Sequence, residues 1–111
     1  MAKFMVLYLS PVSARDQMAS ATPEQATAGM EAWMAWAAKA GDAIVDMGAP
    51  LAGTAHLGPG APATGAGQVT GYSVLQAESA GEITSLLDGH PHLHMPSSSI
   101  EVLEFLPTPG S

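Results

Sequence analysis

The hydrophobic residues of this chain fall into four short runs, and two segments with a hydrophobic residue at every third or fourth position lie between them. The runs are typical of β-strands because they are bounded by Gly, Pro or Ser and are rich in Val, Ile, Leu and aromatic residues. They lie at 3–9, 42–49, 69–77 and 100–106. The two segments, 22–41 and 79–89, have the spacing of amphipathic helices. The pattern predicts the order β-α-β-β-α-β.

Both predicted helices begin with a capping signal. Thr22 precedes Pro23 and Gln25, so its hydroxyl can accept from the amide three residues on while the Gln25 side chain reaches back. Ser79 and Glu82 have the same spacing. Each helix is followed by a glycine that can adopt a left-handed stop.

The order of elements predicts an α+β fold, a ferredoxin-like four-stranded antiparallel sheet with two helices on one face. The 111 residues form a single domain, 1–111. In the first strand, however, both faces are apolar, with Phe4 and Val6 on one and Met5 and Leu7 on the other. Because two helices cover only one face, we expect a second copy of the chain to cover the other, as a face-to-face homodimer.

The connection at 50–68 consists mainly of Gly, Pro, Ala and Thr, with a short strand expected at 54–57. Its glycines lack both the Gly-Lys-Ser/Thr ending of a phosphate-binding loop and the Rossmann spacing. A nucleotide site is therefore not expected there.

Charge and composition exclude several classes of partner. Three basic residues face ten acidic ones, and the net charge of −7 would repel nucleic acid and anionic lipid. The absence of cysteine excludes disulfides and thiolate chemistry. The N-terminal apolar run is shorter than a signal sequence needs, and no run is long enough to span a membrane. We expect a cytoplasmic protein without a cofactor.

The chain resembles the YCII-related family of the dimeric α+β barrel type. The resemblance rests on "KFMVLYLSP", "GDAIVDMGAPL", and above all on "GYSVLQAESAGEITSLLDGHPHL" followed by "SIEVLEFLPTPG". It implies a barrel built from the sheets of two subunits, with a cleft in each. The chemistry it implies is cofactor-independent acid/base work by a His and Asp pair, of a lyase or dehydrohalogenase kind. The family's histidine near the start of the first helix is absent here, where Gln25 is the nearest polar side chain.

Three histidines alternate with other residues in "GHPHLHMP", namely His90, His92 and His94. In an extended segment their side chains would lie about 6.6 Å apart on one face, close enough for two of them to bind a metal ion with a carboxylate as third ligand. Alternatively, His92 or His90 transfers a proton. In the simplest interpretation His90 interacts as a cation with the end of the second helix, and the others form a polar rim.

Asp46 is the expected orienting partner of the catalytic histidine, because it is a carboxylate that shares a predicted strand face with Ile44. It could instead accept a hydrogen bond from the turn at Gly48. Tyr8, Tyr72 and His94 are expected to bind the ligand at the cleft. The methionines and tryptophans are interpreted as core and interface residues.

The sequence thus supports two hypotheses. The first is a cofactor-independent enzyme that acts on a small apolar or aromatic molecule through His92 or His90 and Asp46. The second is a non-catalytic module that binds a small ligand or serves dimerisation.

Overall fold

Four strands and three α-helices are present in residues 1–62 and 67–109, the part of the chain that this computed structural model describes. The elements are β1 (Ala2–Leu9), α1 (Ala14–Ser20), α2 (Pro23–Ala40), β2 (Ile44–Asp46), β3 (Val69–Ala77), α3 (Ala80–Leu87) and β4 (Ser99–Glu104). Two 3₁₀ turns, Gly41–Ala43 and Pro91–His94, complete them. We call the second one the histidine turn.

The strands form one antiparallel sheet in the order β2-β3-β1-β4. The predicted α+β class and the order of its six elements are confirmed, and the arrangement is compatible with a ferredoxin-like fold. The helix α1 was not predicted. Its start does have a signal, because the Ser13 hydroxyl accepts from the Asp16 amide at 3.1 Å.

Helices α2 and α3 pack on one face of the sheet, which we call the covered face. Phe4, Val6 and Tyr8 of β1 point to this face and form the core with Trp36 of α2 and Ile83 of α3. Burying each large apolar side chain stabilises the fold by about 1.5–3 kcal/mol. The indole Nε1 of Trp36 also donates to the Leu86 carbonyl at 2.8 Å, which ties α2 to α3.

The opposite face, which we call the open face, is apolar and only partly buried. Met5 pairs with Val74 on one side and with Leu103 on the other, and Leu7 pairs with Tyr72. Leu103 is 49 % exposed. The two-sided hydrophobic pattern of the strands is therefore real, while only one of the two faces is covered by helices.

Strand β2 is shorter than the predicted strand 42–49. It contains a register shift between Ile44, which pairs with Leu75, and Asp46, which pairs with Val74. Adjacent residues of β3 point to opposite faces, so Ile44 and Asp46 do so as well. The prediction that these two side chains share a face is wrong, because the alternation is broken at Val45.

The segment after β2 first runs along the edge of the sheet and then turns away from the sheet. Pro50 forms an isolated bridge with Gly71, and the Leu51 amide donates to the Thr70 carbonyl at 3.0 Å. Residues 54–57 form no strand, so that prediction is wrong. Part of the predicted connection, 63–66, lies outside the described residues.

The predicted helix caps are present. Thr22 and Gln25 exchange both hydrogen bonds of a capping box, at 3.1 and 2.9 Å. Ser79 accepts from the Glu82 amide at 3.3 Å, but the Glu82 carboxylate accepts from the Glu78 amide, so the second box is only half formed.

Candidate functional site

A cavity of about 540 Å³ lies between the covered face of the sheet and helices α1 and α2. Its walls include Tyr8, Trp33 and the segment Met47–Pro50. Five of the seven methionines of the chain line it: Met18, Met30, Met34, Met47 and Met95. None of the described lining residues is an acid, a lysine or an arginine. The volume is typical of a small-molecule site, and the walls favour an uncharged, apolar occupant.

The histidine turn forms one end of this cavity, through Pro91 and His92. The Gly89 backbone, at φ +72°, ends the preceding segment, and Pro91 supplies the fixed φ of a first helical position. The Leu93 amide closes the turn by donating to the His90 carbonyl at 3.0 Å. The histidines are therefore not on an extended segment, and the spacing expected for alternate residues does not apply.

His92 is buried at the cavity wall, and one of its ring nitrogens is fixed. Its Nε2 lies 2.8 Å from the Leu9 carbonyl, which can only accept, so the neutral ring has its proton on Nε2. Among the described residues Nδ1 has no hydrogen-bond partner, and it is not a fully buried unpaired atom. His92 therefore has a hydrogen-bond acceptor that is not fully buried, and His92 is one of the residues that line the cavity.

His90 lies behind His92 and is fully buried. Its Nδ1 accepts from the His92 amide at 3.0 Å, and its Nε2 has no hydrogen-bond partner among residues 1–62 and 67–109. The ring stacks on Tyr8 at a centroid distance of 5.0 Å, and Trp33 and Trp36 make T-shaped contacts with it at centroid distances of 4.5 Å. Burial, and then the neighbouring His92 and His94, lower its pKa to about 4. The interpretation of His90 as a cation at the helix end is therefore not supported.

Tyr8 does not offer its proton to the cavity. The Ser73 hydroxyl donates to the Met47 carbonyl at 2.7 Å, so the 2.8 Å contact between Tyr8 and Ser73 is a bond that the tyrosine donates. Burial raises the pKa of Tyr8 to about 12. Tyr8 is thus a neutral aromatic wall of the cavity.

Asp46 pairs with Tyr72 instead of a histidine. Its carboxylate accepts from the Gly48 amide at 2.8 Å and from the Tyr72 hydroxyl at 3.1 Å. The Tyr72 bond and the Asp46 charge raise the pKa of Tyr72. The Asp46 carboxylate and the Tyr72 hydroxyl meet on the open face, whereas His92 lies against Tyr8 and Leu9 on the covered face. Tyr72 is also among the residues that line the cavity. The group that orients His92 is the Leu9 carbonyl.

The remaining histidines lie outside the cavity. His94 is exposed on the histidine turn, and His56 is exposed in the connection, where its ring contacts the Gly60 carbonyl. Within residues 1–62 and 67–109, no three His, Asp or Glu side chains converge as a metal site would require. No helix in the same residues is long and apolar enough to cross a membrane.

The methionines are the lining residues that sequence analysis assigned to another role. Met30 and Met34 are separated by one helical turn, and both are more than half exposed at the mouth of the cavity. The available signal was the helical spacing of Met30, Trp33 and Met34, all three of which line the cavity. Met18 and Gln17 were missed because α1 was missed.

Comparison with known proteins gives no relative from which a role could be transferred. No family model matches the chain, and neither a curated protein nor a solved structure matches it.

Proposed function

We propose that the chain binds a small, uncharged molecule with an aromatic or otherwise apolar body and one O–H or N–H group. The body fills the methionine-lined cavity, and the O–H or N–H group donates to Nδ1 of His92. The observation that supports this most directly is the state of His92, whose Nε2 is bonded to Leu9 while Nδ1 is unpaired and not fully buried.

The side chains of the cavity walls indicate which class of ligand fits. Methionine side chains are flexible and polarisable, and they make favourable sulfur contacts with aromatic rings. Tyr8 and Trp33 add two rings at a centroid distance of 5.0 Å. A charged ligand would leave its hydration shell without meeting an opposite charge among the described lining residues, which favours a neutral one.

A matched pair of probes tests this proposal. 1-Naphthol has the aromatic body and the O–H group, and 1-methoxynaphthalene has the same body without a donor. We expect the wild-type chain to bind the naphthol about fivefold more tightly, the worth of one hydrogen bond of about 1 kcal/mol. In His92→Phe the difference should vanish, because the acceptor is gone while a ring still fills the wall. Equal affinities in the wild type, or no binding of either probe, would refute the proposal.

A proton-transfer enzyme is the second candidate, and the orientation of His92 favours it. A general base needs one ring nitrogen fixed and the other free to face a substrate. In this proposal Nδ1 of His92 removes a proton from a carbon acid, which forms imidazolium and an enolate, and the proton then returns or a leaving group departs. Leu9 takes the orienting role that sequence analysis gave to Asp46.

Solvent exchange separates the two candidates. α-Tetralone, an aromatic ketone with acidic C–H bonds, would exchange deuterium from D₂O faster with the wild-type chain than with His92→Phe, as NMR can follow. If α-tetralone binds but exchanges deuterium equally fast with both chains, the proton-transfer enzyme is excluded and the non-catalytic binding module is the remaining candidate.

Membership in the YCII-related family and the homodimeric barrel are also proposals. The order of the sheet supports the first, since the family implies a ferredoxin-like sheet. The apolar open face supports the second, since a second copy packed against it would bury Met5, Leu7 and Leu103. In such a dimer the Asp46–Tyr72 pair would lie at or near the interface between the sheets.

A further inference from the structure

His90 is a buried titratable residue that the proposed ligand does not touch. It is fully buried, and it does not line the cavity. Its Nδ1 accepts the hydrogen bond of the His92 amide, which makes His90 the N-terminal cap of the histidine turn. The cavity wall formed by Pro91 and His92 therefore depends on a hydrogen bond made by the residue before it.

Only one neutral form of His90 fits this arrangement. Because Nδ1 accepts, the proton must be on Nε2, which has no hydrogen-bond partner in the described part of the chain. That N–H lies among the rings of Tyr8, Trp33 and Trp36, which we call the aromatic cluster. Aromatic faces are weak acceptors, so the neutral ring is tolerated there. A second proton would have to be added at Nδ1, where it would meet the N–H of His92.

We propose that His90 is a positioning residue for His92, and that its protonation releases the histidine turn and removes the His92 wall from the cavity. The inference rests on the proposed function in one respect, since it takes the cavity to be the ligand site. It adds that a fall in pH would release the ligand from the cavity.

The groups around His90 explain why protonation would be disruptive. The titratable groups that face it are Tyr8 from β1 and His92 and His94 from its own turn, and α2 presents only indole rings. The end of α3 contributes the Leu87 carbonyl, which accepts from the His90 backbone amide at 3.1 Å. Neither an ion pair nor a carboxylate hydrogen bond to His90 occurs in the described residues. Burial accordingly lowers its pKa, as do the two neighbouring histidines.

Two variants distinguish the hydrogen bond that His90 accepts from the packing of its ring in the aromatic cluster. His90→Asn keeps an acceptor close to the position of Nδ1 and cannot titrate, and Asn is a favourable N-cap residue. His90→Phe keeps a ring in the aromatic cluster but has no acceptor. His94→Asn is the matched control, since it removes an exposed histidine of the same turn.

The first readout is the amide resonance of His92 during a pH titration of the free chain, in ¹⁵N-labelled protein, with circular dichroism at each pH. We expect the wild-type amide to lose its hydrogen-bonded shift as His90 protonates, before the chain unfolds. The same resonance should stay constant in His90→Asn. A constant wild-type resonance, or global unfolding at the same pH, would overturn the proposal.

The second readout is the affinity for 1-methoxynaphthalene, which cannot donate to His92 and so does not report protonation of His92 itself. If the turn is released, wild-type affinity falls about twofold at the midpoint and about tenfold one pH unit below it. It should be flat in His90→Asn and weak at every pH in His90→Phe. In His94→Asn it should decline as in the wild type, with a midpoint at the same or a higher pH, because His94 no longer lowers the pKa of His90. A wild-type decline in His90→Asn would overturn the inference. Failure of the probe to bind at any pH would overturn the proposed function, and the amide titration would still decide the role of His90.

Discussion

The backbone amide of His92 donates to Nδ1 of His90 over 3.0 Å, and this bond links a buried imidazole to one at the cavity wall. His90 and His92 therefore use their ring nitrogens in opposite ways. His90 uses its only acceptor inside the protein, whereas His92 uses its donor on the Leu9 carbonyl and keeps an acceptor that is not fully buried.

The stability of the fold should decrease in mild acid because of His90. Its pKa is about 4 in the folded chain, against an ordinary value of 6.5, so between these values the unfolded chain binds the extra proton and the folded chain does not. The free energy of unfolding should therefore fall by about 2 kcal/mol from pH 7 to pH 5 on account of this group. Urea unfolding at the two pH values measures the loss. The loss should persist in His56→Asn and largely disappear in His90→Asn; an unchanged loss in His90→Asn would contradict the assignment.

The two tyrosines should titrate separately at alkaline pH. In Tyr72→Phe the remaining tyrosine is Tyr8, whose phenol should ionise near pH 12 because it is buried. The unfolded chain would lose this proton near pH 10, so stability should fall as pH rises from 10 to 12. In Tyr8→Phe the remaining Tyr72 should titrate above its ordinary value, and adding Asp46→Asn should return it there. Absorbance near 295 nm follows both; a Tyr8 midpoint near 10 would contradict the burial of this phenol.

Gly48 should be intolerant of any side chain. Its φ is +81°, and a Cβ there would lie 1.6 Å from the Tyr72 carbonyl oxygen, so the segment that lines the cavity would have to move. We expect Gly48→Ala to lower the free energy of unfolding by about 3 kcal/mol or more. Gly53→Ala, where nothing lies within 4 Å, is the control and should stay within about 0.5 kcal/mol of wild type. Chemical denaturation that gives equal stabilities for both variants would show that the segment does not pack on β3 in this way.

Local signals made much of the fold predictable. The Thr22–Gln25 capping box and the continuous apolar run of β1 each depend on residues close in sequence, and the structure has both the box and the strand. The position of Asp46 could not be predicted in this way. A single register shift, set by pairing with β3 more than twenty residues later, reverses which face it occupies.

The site was less predictable than the fold for the same reason. Sequence analysis singled out His92 and His90, but their surroundings come from Tyr8, Leu9 and Trp33, which are distant in sequence. The spacing of the histidines does not show that the His90 ring accepts a hydrogen bond inside the protein while the His92 ring keeps an unpaired acceptor. The methionine lining likewise depends on α1 and on Met95, which only the folded chain brings to one cavity.

The open face should mediate self-association. We expect the wild-type chain to sediment as a dimer at micromolar concentration and Leu103→Glu to sediment as a monomer, because the variant places a charge beside Met5 at the centre of the apolar face. Leu57→Glu, at a residue 91 % exposed in the connection, is the control and should remain dimeric. Monomeric wild-type protein would exclude the barrel.

The most direct test of the account is the ¹⁵N NMR spectrum of the His92 ring, recorded with and without 1-naphthol. We expect Nε2 to be protonated in the free chain and to stay so, while the Nδ1 resonance shifts as Nδ1 accepts the hydrogen bond of the ligand. The Nδ1 resonance should not respond to 1-methoxynaphthalene in the same way. A free chain with the proton on Nδ1, or an Nδ1 resonance that does not shift at saturating naphthol, would contradict the proposal that His92 accepts the hydrogen bond of the ligand in this cavity.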